Sequence, residues 1–70
     1  MRVKVIEVIY HLFKNELNLL KDDDIDMQVY PVVGDIVTID DIKYRVIQRN
    51  IDFRKNRNNQ NITYHVTKCS

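Results

Sequence analysis

Aspartates in the first half of the chain have a spacing typical of a calcium-binding loop. Three of them stand at alternate positions, as the first three ligands of a helix-loop-helix calcium site do: Asp22, Asp24 and Asp26. The glycine that such a loop needs at its sixth position is Met27, and the bidentate glutamate at its twelfth is Val33. We therefore predict a solvated acidic loop over residues 21–27 and no metal site.

A second acidic group, Asp35 with Asp41 and Lys43, superficially resembles the two carboxylates and the lysine of metal-dependent nucleases. In those enzymes the carboxylates converge on a metal that positions water for attack on a phosphodiester. That arrangement needs a larger α/β core than a chain of 70 residues supplies. We interpret Asp35 as a hydrogen-bond acceptor for the backbone of a turn and Lys43 as a charge at a strand edge.

Nucleophilic catalysis is not predicted either. His65 and Cys69 are four residues apart on a predicted strand, which separates them by about 13 Å along its axis and prevents a Cys-His pair. Gly34 is the only glycine, so a Gly-rich phosphate loop is excluded. We expect a protein that is not an enzyme and that binds no cofactor.

The cellular location follows from what the chain contains. Cys69 is the only cysteine, which excludes an internal disulfide and is typical of a reduced thiol in the cytoplasm. The apolar run that begins at Val3 carries Glu7 and His11 and has no signal-peptide cleavage pattern. No stretch approaches the roughly 20 apolar residues that span a membrane. We expect a cytoplasmic protein without membrane contact.

Charge is segregated along the chain although the net charge is only +1. Residues 22–41 hold seven aspartates and no base, whereas residues 42–70 hold seven lysines and arginines against Asp52 alone. The basic segment contains apolar residues as well, and together they define a predicted interaction face: Arg45, Ile47, Arg49, Ile51, Phe53, Arg54, Lys55 and Arg57.

Three interpretations of this predicted face remain open. A protein partner fits apolar residues at the centre with arginines at the rim. Nucleic acid fits basic side chains that follow a phosphate backbone while rings stack on bases, although the aspartates weaken the positive field. In the third interpretation Ile47, Ile51 and Phe53 face the core and leave only a solvated rim of arginines.

The elements that must position these residues are mainly strands. Residues 2–13 are rich in β-branched side chains, which favours a strand that needs either two covered faces or a bulge near Ile6 and Glu7, and an amphipathic helix over residues 5–20 is the alternative. In the strand interpretation a turn at Lys14–Glu16 leads to a short returning strand over Leu17–Leu20.

The remaining strands are bounded by turn residues. Gly34 suits a turn with positive φ, and Asp40-Asp41 is a plausible two-residue hairpin turn between a strand over residues 36–40 and one that begins at Ile42. The apolar face of this next strand switches midway before Phe53, which indicates a bulge. An exposed loop over residues 54–61 precedes the last strand, residues 62–67.

The stretch from Pro31 to Val46, PVVGDIVTIDDIKYRV, resembles a module found in small uncharacterised proteins of phages and prophages of low-GC bacteria. Those proteins look like compact β-rich domains with an N-terminal strand, and the resemblance covers about half of this chain. It implies no activity and no site residues. Asp41 stands where this group commonly has glycine.

We predict one domain over residues 1–70: a small, mainly β fold with a strongly bent sheet or partly open barrel of about five strands. The alternative is an α+β fold with the N-terminal helix on a three-stranded antiparallel sheet. Apolar residues on both faces of residues 2–13 and 46–53 predict a homodimer. The predicted function is non-enzymatic protein binding, such as that of a phage accessory factor acting on a host protein, and the alternative is binding of nucleic acid or nucleotides.

Overall fold

The computed structural model describes residues 1–26, 29–53 and 60–69, which form a single five-stranded sheet and contain no helix. The strands are β1 (Arg2–Tyr10), β2 (Asn15–Asp24), β3 (Ile36–Ile39), β4 (Ile42–Asp52) and β5 (Asn61–Lys68). Their order across the sheet is β2-β1-β5-β4-β3, and the sheet curls into a half-barrel. The predicted bent β-sheet is confirmed, and the alternative with an N-terminal helix is wrong.

Strand β5 joins two antiparallel hairpins into one sheet. It pairs in parallel with β1, where Val3 lies opposite Ile62, and antiparallel with β4, where Val46 lies opposite Val66. The alternation predicted for the last strand is confirmed, because every second residue of β5 is buried. The parallel pair between the first and last strands makes the sheet a mixed one.

The core lies on one side of the sheet, which we call the inner face. It consists of seven buried side chains: Val3, Val5, Tyr44, Val46, Ile62, Tyr64 and Val66. Side chains directly opposite each other on neighbouring strands project to the same face, so pairing assigns every residue to the inner or to the outer face. Half-buried apolar residues of the two edge strands and of the segments next to β1 and β2 complete the core: Met1, Leu20, Ile25, Val37 and Ile39.

The acidic segment, predicted as a loop over residues 21–27, is instead a strand as far as Asp24. Lys21–Asp24 forms the last part of β2, and the predicted turn at residues 14–16 lies earlier, over residues 11–14, where His11 N donates to Lys14 O at 3.0 Å. The charges of β1 explain this difference, because Arg2 lies opposite Asp24 and Lys4 opposite Asp22. Basic residues across the ladder offset the repulsion among the aspartates.

Two ion pairs at this end of the sheet reduce the repulsion among the aspartates. Arg2 Nε lies 2.8 Å from Asp22 Oδ1, and the hydrogen bond to this carboxylate raises the pKa of Arg2. The amino group of Met1 lies 2.9 Å from Asp24 Oδ1, and this hydrogen bond lowers the pKa of Asp24. The β-propensity of aspartate therefore matters less here than the residues it faces.

The two predicted turns are confirmed. Gly34 has a φ of +98°, and Asp35 stabilises the turn because its Oδ2 accepts a hydrogen bond from Val32 N at 2.9 Å. Asp40 and Asp41 have φ values of 50° and 66°, which is the left-handed pair that a type I′ hairpin turn requires. Local backbone geometry thus sets the turn before β3 and the hairpin that joins β3 to β4.

Two bulges change which face a residue occupies. In the β4–β5 ladder Val46 lies opposite Val66 and Gln48 opposite His65, so Ile47 is the extra residue. In the β1–β2 ladder Val5 lies opposite Lys21 and Ile6 opposite Leu19, so Leu20 is the extra residue on β2. The predicted change of face in β4 is confirmed, and the irregularity predicted near Ile6 lies between Val5 and Ile6.

Candidate functional site

The bulge at Ile47 divides the interaction face predicted from the sequence. Arg45 lies opposite Thr67 on the outer face, whereas Arg49 lies opposite Tyr64 and Ile51 opposite Ile62 on the inner face. The expectation that Arg45 and Arg49 share a surface is therefore wrong. An extra residue shifts the two-residue period by one position, and every following side chain moves to the other face.

The members of the predicted face also differ in their surroundings. Arg49 Nη1 donates a hydrogen bond to Pro31 O at 3.2 Å, so this guanidinium holds the segment before β3. Ile47 is half-buried, while Phe53 is 74 % exposed just beyond the end of β4. Arg54, Lys55, Arg57 and most of the loop predicted over residues 54–61 lie outside the described residues.

The β1–β2 hairpin carries the larger exposed apolar surface. Beyond the bulge, Ile6 lies opposite Leu19 and Val8 opposite Leu17, all on the outer face. Leu12 and Phe13 occupy the hairpin loop and are 88 % and 93 % exposed. We call these residues, together with the adjacent tyrosine, the hairpin patch: Ile6, Val8, Tyr10, Leu12, Phe13, Leu17 and Leu19.

The opposite side of the same hairpin carries one apolar residue, the half-buried Ile9, and is otherwise polar. Asn18 Nδ2 donates to Glu7 Oε1 at 3.3 Å, and His11 Nε2 lies 3.1 Å from Glu16 Oε2. β5 pairs with β1 only as far as Glu7, so the outer half of the hairpin projects beyond the rest of the sheet. The hairpin is thus amphipathic where it leaves the core, with most of its apolar residues on the outer face and in its loop.

Sequence reasoning found only part of this patch. The apolar residues on both parities of residues 2–13 were the available signal, and they predict a strand with two apolar faces. The bulge at Leu20 could not be located from the sequence, because Leu17, Leu19 and Leu20 fit a returning strand in either register. The structure places Leu20 against the core and leaves Leu17 and Leu19 exposed.

A groove of about 290 Å³ runs along the inner face. Its walls include Lys21 of β2 and Thr38 of β3, so it lies between the two edge strands of the half-barrel. Most of its lining is apolar core: Val3, Val5, Ile25, Pro31, Val37, Ile39, Val46, Tyr64 and Val66. Asp40 adds a carboxylate, but the groove brings together no acid-base pair or nucleophile among its described lining residues.

Two polar atoms are buried without a hydrogen bond to any described residue, Tyr64 Oη and His65 Nδ1. Burial raises the pKa of the Tyr64 hydroxyl, and this effect exceeds the opposing influence of the Arg49 guanidinium. His65 lies on the outer face, opposite Ile6 and Gln48, and so borders the hairpin patch at Ile6. Neither atom has a nucleophile or an acid as a hydrogen-bond partner among the described residues.

The acidic residues considered above as metal ligands have other contacts. Asp22 and Asp24 pair with Arg2 and the Met1 amino group, while Asp35 accepts a bond within its turn. Among residues 1–26, 29–53 and 60–69, no three His, Cys, Asp or Glu side chains converge as metal ligands would. Met27, at the sixth position of the calcium-loop pattern, lies outside the described residues.

Comparison of the chain with protein-family models, with curated proteins and with solved structures gives no match. Within the part of the chain that the structure describes, no helix has the length and apolar character of a membrane span.

Proposed function

We propose that this protein is a non-enzymatic binding protein of the cytoplasm, a phage accessory factor that acts on a host protein. One observation carries the proposal: the loop of the β1–β2 hairpin exposes Leu12 and Phe13 almost completely, to 88 % and 93 %. Contiguous exposed apolar surface rimmed by polar residues is typical of protein interaction sites. A phenylalanine at a projecting loop is also suited to insertion into a pocket of a partner.

Polar residues surround the exposed apolar residues of the hairpin loop and limit the size of the proposed binding site. His11 precedes Leu12 and Phe13 and contacts Glu16, and Lys14 and Asn15 follow them in the chain. Apolar residues at the centre with polar residues around them match the usual anatomy of a protein–protein interface. The surface predicted from the sequence, centred on Arg45 and Phe53, becomes a secondary one in this proposal.

The hypothesis of nucleic-acid binding has weaker support. Arg49 donates to Pro31 O from the inner face, so it does not extend the basic surface of the outer face. Lys43 and Arg45 are exposed on the outer face of β4, but the acidic end of β2 gives the opposite edge of the sheet the opposite charge. A binder of this kind would lose affinity steeply as salt increases.

The test uses tagged protein as bait in a lysate of a low-GC bacterial host, followed by purification of the captured partner. The double variant Leu12→Ser/Phe13→Ser should keep its fold, because both side chains are exposed, and should lose about 30-fold or more in affinity. The matched control is Lys43→Ser/Arg45→Ser, which should bind within a few-fold of the wild type. Circular dichroism checks that both variants are folded.

Two results would overturn the proposal. One is a partner that binds the loop variant as tightly as the wild type in calorimetry. The other is capture that disappears on nuclease treatment and with Lys43→Ser/Arg45→Ser, which would assign the function to nucleic acid instead.

A further inference from the structure

The groove on the inner face has the size and lining of a site for a small, largely apolar molecule. Its volume of about 290 Å³ lies close to the lower end of the range for ligand sites, about 300–1,000 Å³. A water molecule occupies about 30 Å³ in the liquid, so the groove has room for about ten groups of that size. Because most of the lining is apolar core, the bulk of a bound molecule would be hydrocarbon.

The groove lining contains a buried hydroxyl that lacks a hydrogen bond to any described residue. Tyr64 is 2 % exposed, and the unpaired atom is its Oη. Buried polar groups of native proteins are nearly always hydrogen-bonded, so an exception calls for a specific explanation. Burial raises the pKa of this hydroxyl, which therefore keeps its proton at neutral pH and can donate it to an acceptor. A bound molecule with an acceptor oxygen would supply the missing partner.

Strand pairing places two basic residues in the same row as this tyrosine. Val5 lies opposite both Lys21 and Tyr64, and Arg49 lies opposite Tyr64 on its other side. These four residues therefore follow one another across the inner face from β2 to β4. Lys21 belongs to one wall of the groove, and Arg49 donates a hydrogen bond to the carbonyl of Pro31, another lining residue. The acceptor favoured beside Tyr64 is thus an anionic one.

The carboxylates near this row do not cancel that preference. Asp35 also acts on the Tyr64 hydroxyl, but its charge has a smaller effect than that of Arg49. Asp23 Oδ2 lies 3.4 Å from Lys21 Nζ, and both side chains are about half exposed, so water screens this ion pair. The charge that a ligand meets at Tyr64 is therefore positive.

The remaining carboxylate of the groove sets the orientation of a bound anion. Asp40 belongs to the turn between β3 and β4, about 20 Å along β4 from Arg49. A negative group at that end would meet a like charge, whereas the same group at Tyr64 meets two basic residues. A narrow groove of this length fits a single alkyl chain rather than a ring system. Strand pairing places apolar residues between the two ends: Val66, Val46, Val37 and Ile39.

We propose that the inner face binds a medium-chain fatty acid, with its carboxylate at Tyr64 and Arg49 and its alkyl chain directed towards Asp40. The Tyr64 hydroxyl donates to the carboxylate, and Lys21 adds positive charge from the opposite wall. Arg49 is exposed, so its side chain can move aside as the carboxylate enters and then pair with it. This site lies on the other face from the exposed leucines of the hairpin patch, and the inference does not depend on the proposed function.

Titration with octanoate, followed by two-dimensional NMR of the whole chain, tests the site. Octanoate has about ten non-hydrogen atoms, and we expect it to bind with a Kd of about 1 mM or tighter. The largest changes in chemical shift should occur at Tyr64, Val66 and Val46. Octanol keeps the alkyl chain without the charge and should bind several-fold more weakly, and octylamine, with the opposite charge, more weakly still. Absence of saturable shifts with octanoate, or octylamine binding as tightly, would overturn the proposal.

Substitution of Tyr64 separates recognition of the carboxylate from general burial of the chain. Tyr64→Phe should reduce the affinity for octanoate about 10-fold, because it removes a hydrogen bond to a charged group. The matched control is Tyr44→Phe, since Tyr44 is buried on the same face but does not line the groove, and it should bind within two-fold of the wild type. Equal affinities of Tyr64→Phe and the wild type would overturn the proposal.

Substitution of Lys21 tests the contribution of charge. Lys21→Gln should weaken octanoate binding several-fold at low salt and less at high salt. Lys4→Gln removes the same charge from the outer face of β1 and should leave the affinity unchanged, and an equal loss in both variants would contradict a role for the groove wall. The variant Leu12→Ser/Phe13→Ser should bind octanoate as the wild type does, so failure of this site and failure of partner binding are distinguishable.

Discussion

Replacement of Tyr64 by phenylalanine should stabilise the protein, in contrast to most changes in a core. Tyr64 is 2 % exposed on the inner face, and its hydroxyl forms no hydrogen bond with a described residue. Folding therefore removes this hydroxyl from water and leaves it, among the described residues, with only the guanidinium of Arg49 nearby as a polar group. Phenylalanine keeps the ring and its packing and omits only the oxygen.

The size of the effect follows from the cost of an unpaired buried polar group, about 1–3 kcal/mol. Part of this gain is lost to the small void that the oxygen leaves, so we expect Tyr64→Phe to increase the free energy of unfolding by about 1 kcal/mol. For a domain of this size that corresponds to a rise in Tm of roughly 4–8 °C. The same substitution in a hydrogen-bonded tyrosine would have the opposite sign.

Urea denaturation followed by circular dichroism measures the change, with Tyr44→Phe as the matched control. Tyr44 is also buried on the inner face, at 4 % exposure, but its hydroxyl is not one of the unpaired buried atoms. The control should change stability by no more than about 0.5 kcal/mol. A loss of more than about 1 kcal/mol for Tyr64→Phe would refute the reasoning and assign a hydrogen bond to the hydroxyl, with Arg49 as the candidate donor.

The pH dependence of Tyr64→Phe provides a second check on the same residue. Burial raises the pKa of Tyr64 above its usual value near 10, so the folded state holds this proton more tightly than the unfolded state does. The corresponding stability is fully present below about pH 10 and is lost as the pH rises through the folded-state pKa. Tyr64→Phe should therefore lose less stability than the wild type in alkaline urea titrations.

Two further predictions concern the turns. Asp41→Gly should raise the free energy of unfolding by about 0.5–1 kcal/mol, because glycine adopts the left-handed φ of 66° without steric cost. Thermal or urea denaturation measures this change, and a decrease would show that the aspartate side chain stabilises the turn. Gly34→Ala should lower the free energy of unfolding by about 1 kcal/mol or more, because a φ of +98° is unfavourable for alanine. The space around the residue is not the cause, since a Cβ there would meet nothing within 4 Å. An unchanged Tm would contradict this account.

The parts of the fold that sequence reasoning predicts are those set by neighbouring residues. The turn at Gly34 and Asp35, the left-handed pair Asp40-Asp41 and the alternation of Ile62 with its neighbours each follow from local backbone preferences. These preferences depend on a few residues that are adjacent in the sequence, so they can be recognised without knowledge of the fold. These elements account for β3, the start of β4 and all of β5.

Features that depend on distant residues were predicted less well. Aspartate disfavours strands, so the acidic segment reads as a loop until Arg2 and Lys4 are known to lie opposite it. The exact position of a bulge depends on the register of two strands, and the extra residue at Leu20 decides which leucines are exposed. The part of the hairpin patch on β2 follows from that bulge, which helps to explain why sequence reasoning selected a different surface.

The parallel ladder between β1 and β5 has a mechanical consequence. Arg2 pairs with Asn61 and Glu7 with Val66, so the two strands run side by side in the same direction at the middle of the sheet. Tension applied between Arg2 and Lys68 would act along these strands in opposite directions. All hydrogen bonds of the ladder would then bear the load at once in shear, rather than opening one after another like a zipper. Pulled from its two ends, this small sheet should resist force more strongly than its thermodynamic stability alone suggests.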